Sequence, residues 1–528
     1  MPAVKSRTEE STSLETIVFT VDNVDKTLRR LKSSVSCGPD GVPNVILKNL
    51  TSSISVPLSY IFNSSFSSHY LPSQWLQAYV TPVFKKGIAT DPCNYRPISL
   101  TCTCCKVMER IINDQLLHYL SIHKLITKSQ HGFLRKRSTC TNLLESINDW
   151  TLALDKRKTT DIAYIDFQKA FDSVSHPKLL KKLTAYNITG DLHRWIAAFL
   201  SNRSQSVKIS NSLSESILVT SGVPQGSVLG PTLFLLFIND LVDCFHDVNC
   251  TVKLYADDVK LYSSFTLSAW SVDLNIALQR LVDWANMWQL PIAFKKCLVH
   301  RLCSREETAP PDYKLGSHVL IWSEQTRDIG ITMDINLKFD KHIANIVHTA
   351  SSRAYLILKM FVTRDQQVLV KAYTTYVRPL LEYCTPVWSP HLKKLIHMVE
   401  NVQRRFTKRI EGLSHLTYPA RLQSLGLEAL QVRRLKFDLI MCYRIMYNFV
   451  DVDASDFFCL QSVNKTRGHN LKLIKPACEL DVRKFCFSCR VIDLWNNLPG
   501  HIVNSSTVSS FKSALNNLDF TASCDFSY

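Results

Sequence analysis

The sequence predicts an α+β protein, and three observations predict it. Short apolar strand patterns end in carboxylates at two places, at Asp166 and at Asp257-Asp258. Helical periodicity follows Asp166 at Ala170, Phe171 and Val174, and a helix-like apolar run from Thr232 to Leu241 follows a Gly- and Pro-rich loop between the two carboxylate sites. At 528 residues the chain exceeds one compact core, so two to four subdomains are expected.

The first strand pattern is Ile162, Tyr164 and Ile165, which stops at Asp166 and leaves that carboxylate exposed at a strand end. The second surrounds Tyr255-Ala256-Asp257-Asp258, with Val252 and Leu254 before the turn and Val259 and Leu261 after it. A pair of aspartates in a turn also has a purely local explanation, because Asp hydrogen-bonds its own backbone there. Carboxylates on separate strands, however, are what two-metal phosphoryl transfer requires, bracketing two ions about 3.5–4 Å apart. Between the two lies Ser221-Gly-Val-Pro-Gln225-Gly226-Ser-Val-Leu-Gly230-Pro231, whose glycines and prolines make a constrained loop. Gly226 lets backbone approach a ligand closely, as a template or nucleotide platform needs; an ordinary Gly-Pro turn has the same composition.

Taken together, these segments resemble the reverse transcriptases of LINE-type (non-LTR) retrotransposons, the jockey-like group most closely. YIDFQKAFDSVSH is similar to motif A of that family, GVPQGSVLGPTLFLLFINDL to motif B and YADD to motif C. The resemblance implies a right-hand polymerase in which Asp166, Asp257 and Asp258 hold the catalytic metal ions. It also implies that the backbone around Phe167 helps to hold the triphosphate and that Phe171 excludes a ribose 2′-hydroxyl. Gln225 would touch template and incoming nucleotide, with Gly226 at the nucleic acid.

Upstream, Val80-Thr-Pro-Val-Phe-Lys85-Lys86-Gly87 and Asn94-Tyr-Arg96-Pro look like the fingers segments of these enzymes. A Lys-Lys-Gly turn beside an Arg-bearing strand offers a triphosphate a bidentate fork and mobile point charges. An ordinary basic surface hairpin would read the same way. Gln130-His131-Gly132-Phe133 to Arg137-Ser138-Thr139 follows a family pattern, except that Leu134 stands where Arg is usual; Arg137 is the cation implied at nucleic acid. Downstream, Trp284 to Cys297 resembles motif D, whose lysine protonates the leaving pyrophosphate. Lys295 and Lys296 both fit that place, and Lys296 is taken forward. Asp328-Ile-Gly-Ile to Ile343 resembles the primer grip and the start of the thumb, and further matches extend the resemblance from about residue 25 to about residue 515.

Composition agrees. A net charge of +17 implies a polyanionic partner. Residues 391–450 are strongly basic, and within them Leu395, Val399, Val402 and Phe406 recur at helical spacing while Arg404, Arg405 and Lys408 fall largely off that face. A helix facing phosphates has this pattern, and so does a solvated one. The 17 cysteines form no disulfide framework, and the leader MPAVKSRTEESTS is polar, so reduced thiols in an intracellular protein are expected, with nuclear access if the element is mobile. Cys486-Phe-Ser-Cys489 is a lone CxxC pair, read as structural thiols rather than zinc ligands. No apolar run reaches the roughly 20 residues that span a membrane.

The expected architecture is a leader and N-terminal extension at 1–66, fingers and palm at 67–336, a thumb at 337–415 and a helical C-terminal region at 416–528. The palm is expected to be a small antiparallel sheet covered on one face by helices. The implied reaction is RNA-templated extension of a DNA primer by deoxynucleotide triphosphates, with Mg²⁺ or Mn²⁺ at the oxygen ligands. An endonuclease domain, usual in full elements of this type, is not expected in this chain. The competing reading is a retroelement-derived RNA-binding protein with impaired catalysis.

Overall fold

Alternation along residues 159–165 puts Ala163 and Ile165 on one face of a strand and Ile162 and Tyr164 on the other, and each face meets its own apolar core. The computed structural model describes residue 7 and residues 12–266, 272–303, 312–461 and 468–520; most of the polar leader lies outside them. Its main strands are β1 (Gln77–Phe84), β2 (Tyr95–Leu100), β3 (Thr159–Ile165), β4 (Ser204–Ile209), β5 (Thr251–Tyr255), β6 (Asp258–Phe265), β7 (Leu298–Leu302), β8 (Ile321–Trp322), β9 (Gln325–Asp328) and β10 (Ile331–Asp334).

The central sheet runs β8-β7-β3-β6-β5, antiparallel except for the β8–β7 pair. A second sheet is built on the antiparallel hairpin β1–β2, with β4 parallel to β1. Strands β9 and β10 form a separate hairpin.

One face of the central sheet packs on helices α1 (Thr103–Ile122), α3 (Gly230–Ile238) and α4 (Val272–Trp288), and Ile17, Phe19, Phe62 and Phe66 join the same core. The other face packs on α2 (Thr139–Asp155), where Trp150 meets Tyr262 edge to face at 5.6 Å. That second core continues into the helices after β10, among them α5 (Asp340–Met360), α6 (Lys393–Lys408) and α7 (Leu430–Met446). The sheet is therefore covered on both faces, not on one as the sequence suggested. The reason lies in β3, where residues 159–163 are all buried. Its one ionisable group there, Asp161, takes a two-pronged bond from Arg301 at 2.7 and 2.8 Å and a third from the Tyr313 hydroxyl at 2.7 Å. A buried carboxylate satisfied in this way no longer marks a solvent face.

Candidate active site

Sheet register assembles the site. Ile165 pairs with Val259, so the next step sets Asp166 across from Asp258; Tyr164 pairs with Leu298, so two steps on the other side set Asp166 across from Lys296. The Lys296 ammonium lies 3.2 Å from the Asp166 carboxylate, which separates it from Lys295 as the lysine at the site. Asp257 occupies the two-residue turn that Tyr255 and Asp258 close. Ala256 in that turn has φ +57°, a left-handed conformation that costs a non-glycine residue about 1–2 kcal/mol.

Two carboxyls of this cluster are held above their ordinary range. The Asp258 pKa is raised to about 6, first by desolvation in the cleft and then by the like charges of Asp257, Asp166 and Asp328. Its side chain still reaches solvent, so these fields are partly screened. Asp257 is also raised, by desolvation first and then by Asp166, while Lys85 and Arg96 pull it down. A carboxyl whose pKa is higher folded than unfolded favours the fold below its ordinary value near 3.8, and that contribution is lost as pH rises through about 6. In metal-free buffer at pH 7.5, Asp258→Asn should therefore melt no lower than the parent. A clearly lower melting temperature in EDTA would contradict the repulsion.

The donor set is oxygen only, which suits hard divalent cations, and clustered like charges are what such a cation relieves. Among the described residues no three His, Cys, Asp or Glu side chains stand ready as a metal-holding group. Asp166 is engaged by Lys296 instead.

The remaining residues singled out in the sequence fall into three groups. Lys85 and Lys86 sit at the exposed tip of the β1–β2 hairpin, and Arg96 is exposed on β2 opposite Val83. Gly87 turns that tip with φ +95°, where a Cβ would come within 2.7 Å of the Asn94 side chain. The charges of Lys85 and Arg96 lower the Asp257 pKa.

The second group surrounds the 221–231 loop, which docks on the turn after β3. Val223 donates to the Phe171 carbonyl at 2.8 Å, Gly222 to that of Val174 at 2.8 Å, and the Gln225 amide to the Asp172 carboxylate at 2.9 Å. Phe171 is half-buried and stacks on Phe234 at 4.3 Å. Phe167 is buried against Trp284, and bonds from Ala293 to the Asp166 carbonyl and from Gln168 to that of Pro291 flank it, leaving its own N–H outside that pairing. Gly226 does permit a close approach, but to protein: a Cβ there would stand 2.4 Å from the Ser99 carbonyl oxygen. No local pattern marks Glu109, fully buried, whose carboxylate accepts from the Val228 and Leu229 N–H groups at 2.7 and 3.0 Å and so holds the start of α3.

The third group departs from expectation. Arg137 is turned inward, its side chain 4% exposed, bonding Asp451 at 2.9 Å, His131 at 3.0 Å and the Lys128 carbonyl. It ties three segments together, and Ser138 beside it caps α2 in a reciprocal pair with Thr141. On α6 the apolar face is buried as anticipated, and Arg405 and Lys408 are exposed. Arg404 instead lies over the Tyr418 ring at 5.0 Å, because Tyr418 comes from a neighbouring helix that the local sequence does not reveal. Among the described residues no helix is long and apolar enough to cross a membrane.

Comparison with known proteins shows what this chain is similar to. Residues 83–333 match the family described as reverse transcriptase (RNA-dependent DNA polymerase). The chain is 29% identical over 410 residues to the RNA-directed DNA polymerase from mobile element jockey of Drosophila melanogaster, an alignment covering 76% of this chain and 44% of that protein. It is 27% identical over 404 residues, 74% of this chain and 44% of the relative, to the probable RNA-directed DNA polymerase from transposon BS of the same species. For the corresponding X-element protein the identity is 25% over 398 residues, 74% of this chain and 43% of the relative. The chain thus spans less than half the length of these curated relatives. Residues 83–333 thus match the reverse transcriptases, and the chain is similar to the RNA-directed DNA polymerases of jockey-like, LINE-type elements.

Proposed function

We propose that this chain is an RNA-directed DNA polymerase that extends a DNA primer on an RNA template, using deoxynucleotide triphosphates. The observation that carries the reading is the β3 register, which aligns Asp166 with Asp258 on one side and Lys296 on the other, with Asp257 in the adjoining turn. In this reading the β1–β2 sheet belongs to the fingers and the central sheet is the palm, together 67–336. Residues 337–415 are the thumb, 416–528 a helical C-terminal region and 1–66 the N-terminal extension.

Asp166, Asp257 and Asp258 would hold two Mg²⁺ ions, or Mn²⁺. When bound, such ions activate the primer 3′-hydroxyl and steady the leaving pyrophosphate. Lys85, Lys86 and Arg96 draw the triphosphate toward the carboxylates, and the backbone at Phe167 lies beside it. Lys296 has a proton to give to the departing pyrophosphate. Gln225, fixed by Asp172, presents the 221–231 loop to the template and the incoming base. Arg405 and Lys408 offer phosphate contacts along the helical region.

Phe171 occupies the space that a ribose 2′-hydroxyl would need. Phe171→Ala should raise ribonucleotide incorporation relative to matched deoxynucleotides by roughly tenfold or more, within the range of a single pocket contact. It should also slow normal synthesis through the cavity left against Phe234. Unchanged sugar discrimination would remove Phe171 from the nucleotide site. The proposal as a whole is tested with a labelled DNA primer annealed to RNA. Template-dependent extension in Mg²⁺ or Mn²⁺ is expected, and RNA binding without extension in either ion would favour the impaired RNA-binding alternative.

A further inference from the structure

The Asp257-Asp258 turn sits at the end of an edge strand, yet its backbone is held from outside the sheet. Gln130 meets Leu254 of β5 in a single parallel bridge. Leu254 donates to the Ser129 carbonyl at 2.9 Å, and His131 donates back to the Leu254 carbonyl at 2.9 Å. Asn142 adds a bond to that same carbonyl at 3.1 Å. Beyond the strand, contact passes to one side chain. Gln130 is 2% exposed, and its amide oxygen accepts from the Ala256 N–H at 2.9 Å and from the Gly132 N–H at 2.8 Å. Both lone pairs of that oxygen are engaged, one of them on the left-handed residue immediately before Asp257. Gly132 completes the fit: a Cβ there would stand 2.5 Å from the Ala256 nitrogen. The segment is locked in turn by His131, buried and bonded to Thr141 at 2.9 Å and to Arg137 at 3.0 Å.

A strained left-handed residue persists only where its surroundings over-determine it. Here Gln130 and Gly132 are those surroundings. We propose that Gln130 is a positioning residue for the Asp257-Asp258 turn, its side-chain carbonyl fixing the Ala256 peptide and thereby where the two carboxylates are presented. The inference rests on reading Asp257 and Asp258 as the reaction's metal-binding carboxylates. It gives the Gln130-His131-Gly132 segment a task.

Three variants separate positioning from packing. Gln130→Met keeps the length of the side chain and removes the acceptor, Gln130→Glu keeps an acceptor, and Gly132→Ala leaves Gln130 intact while pushing a methyl toward Ala256. Hydrogen exchange of peptides covering 254–258 should speed up by about tenfold or more in Gln130→Met and Gly132→Ala, the scale of one lost buried hydrogen bond. Gln130→Glu should stay nearer the parent. Mn²⁺ binding, followed by loss of the free-ion paramagnetic resonance signal, should weaken in the same order. In primer extension, kcat should fall in that order too, with KM for the nucleotide within about twofold.

If Gln130 merely fills space, Met would match or exceed Glu, and the losses would follow melting temperature. That pattern, or unchanged exchange at Ala256 in a folded Gln130→Met protein, overturns the proposal. Should Gln130→Met fail to fold, the exchange and Mn²⁺ binding of Gly132→Ala against the parent decide in the same way. If the parent itself does not extend primers, the polymerase reading falls while the exchange measurement still judges the clamp.

Discussion

Asp257→Asn is expected to abolish primer extension while leaving RNA binding and folding close to the parent. The substitution removes one negative charge from the turn and keeps the shape of the side chain, so the neighbouring backbone has no reason to move. Metal catalysis supplies several kcal/mol of transition-state stabilisation, and its loss corresponds to a fall in kcat of roughly a thousandfold or more. Relief of the repulsion from Asp166 should, if anything, steady the metal-free protein. Single-turnover extension beside a filter-binding assay checks both halves. A variant that extends within a few-fold of the parent would show that the turn is not the reacting centre.

Asp328→Ala should be the most damaging change to stability. Lys260, two residues after Asp258 on β6, meets Asp328 on β9 at 2.7 Å, and both side chains are 4% exposed. The pair joins the central sheet to the β9–β10 hairpin. Removing the carboxylate leaves the Lys260 ammonium buried beside the Trp150 ring, 5.4 Å from its centroid, without its hydrogen-bonded partner. Breaking such a pair from one side costs about 3–5 kcal/mol, whereas replacing both partners with apolar residues of similar volume is often neutral. Urea unfolding should show that loss in Asp328→Ala and recover much of it in Lys260→Met/Asp328→Leu. A loss below about 1 kcal/mol would mean that water or a local rearrangement satisfies Lys260.

The candidate site was legible in the sequence where its signals are local. Asp166 and the Asp257-Asp258 turn stand out because apolar strand patterns stop at carboxylates, and register converts that pattern into alignment. The apolar face of α6 was legible for the same reason, through helical spacing. What escaped notice depends on partners far away in the chain. Nothing near Gln130 indicates that its amide will meet Ala256, nothing near Glu109 that it will meet the Val228 N–H, and nothing near Arg137 that Asp451 will claim it. The covering of both faces of the central sheet was hidden too, because Asp161 breaks the apolar run of β3 until Arg301 and Tyr313 are seen to neutralise it.

The location of the metal centre is the point on which the polymerase reading stands, and it can be mapped without any turnover. Replacing Mg²⁺ with Fe²⁺ and adding ascorbate and peroxide generates hydroxyl radicals at bound iron, which cut nearby backbone. Cleavage is expected at two places distant in sequence and adjacent in the sheet, around Asp166 and around Ala256 to Asp258. Both cuts should be suppressed by excess Mg²⁺ and lost in Asp257→Asn. Cuts clustered elsewhere, or none at these two positions in a protein that binds RNA, would contradict the assignment of Asp166, Asp257 and Asp258 as the catalytic centre.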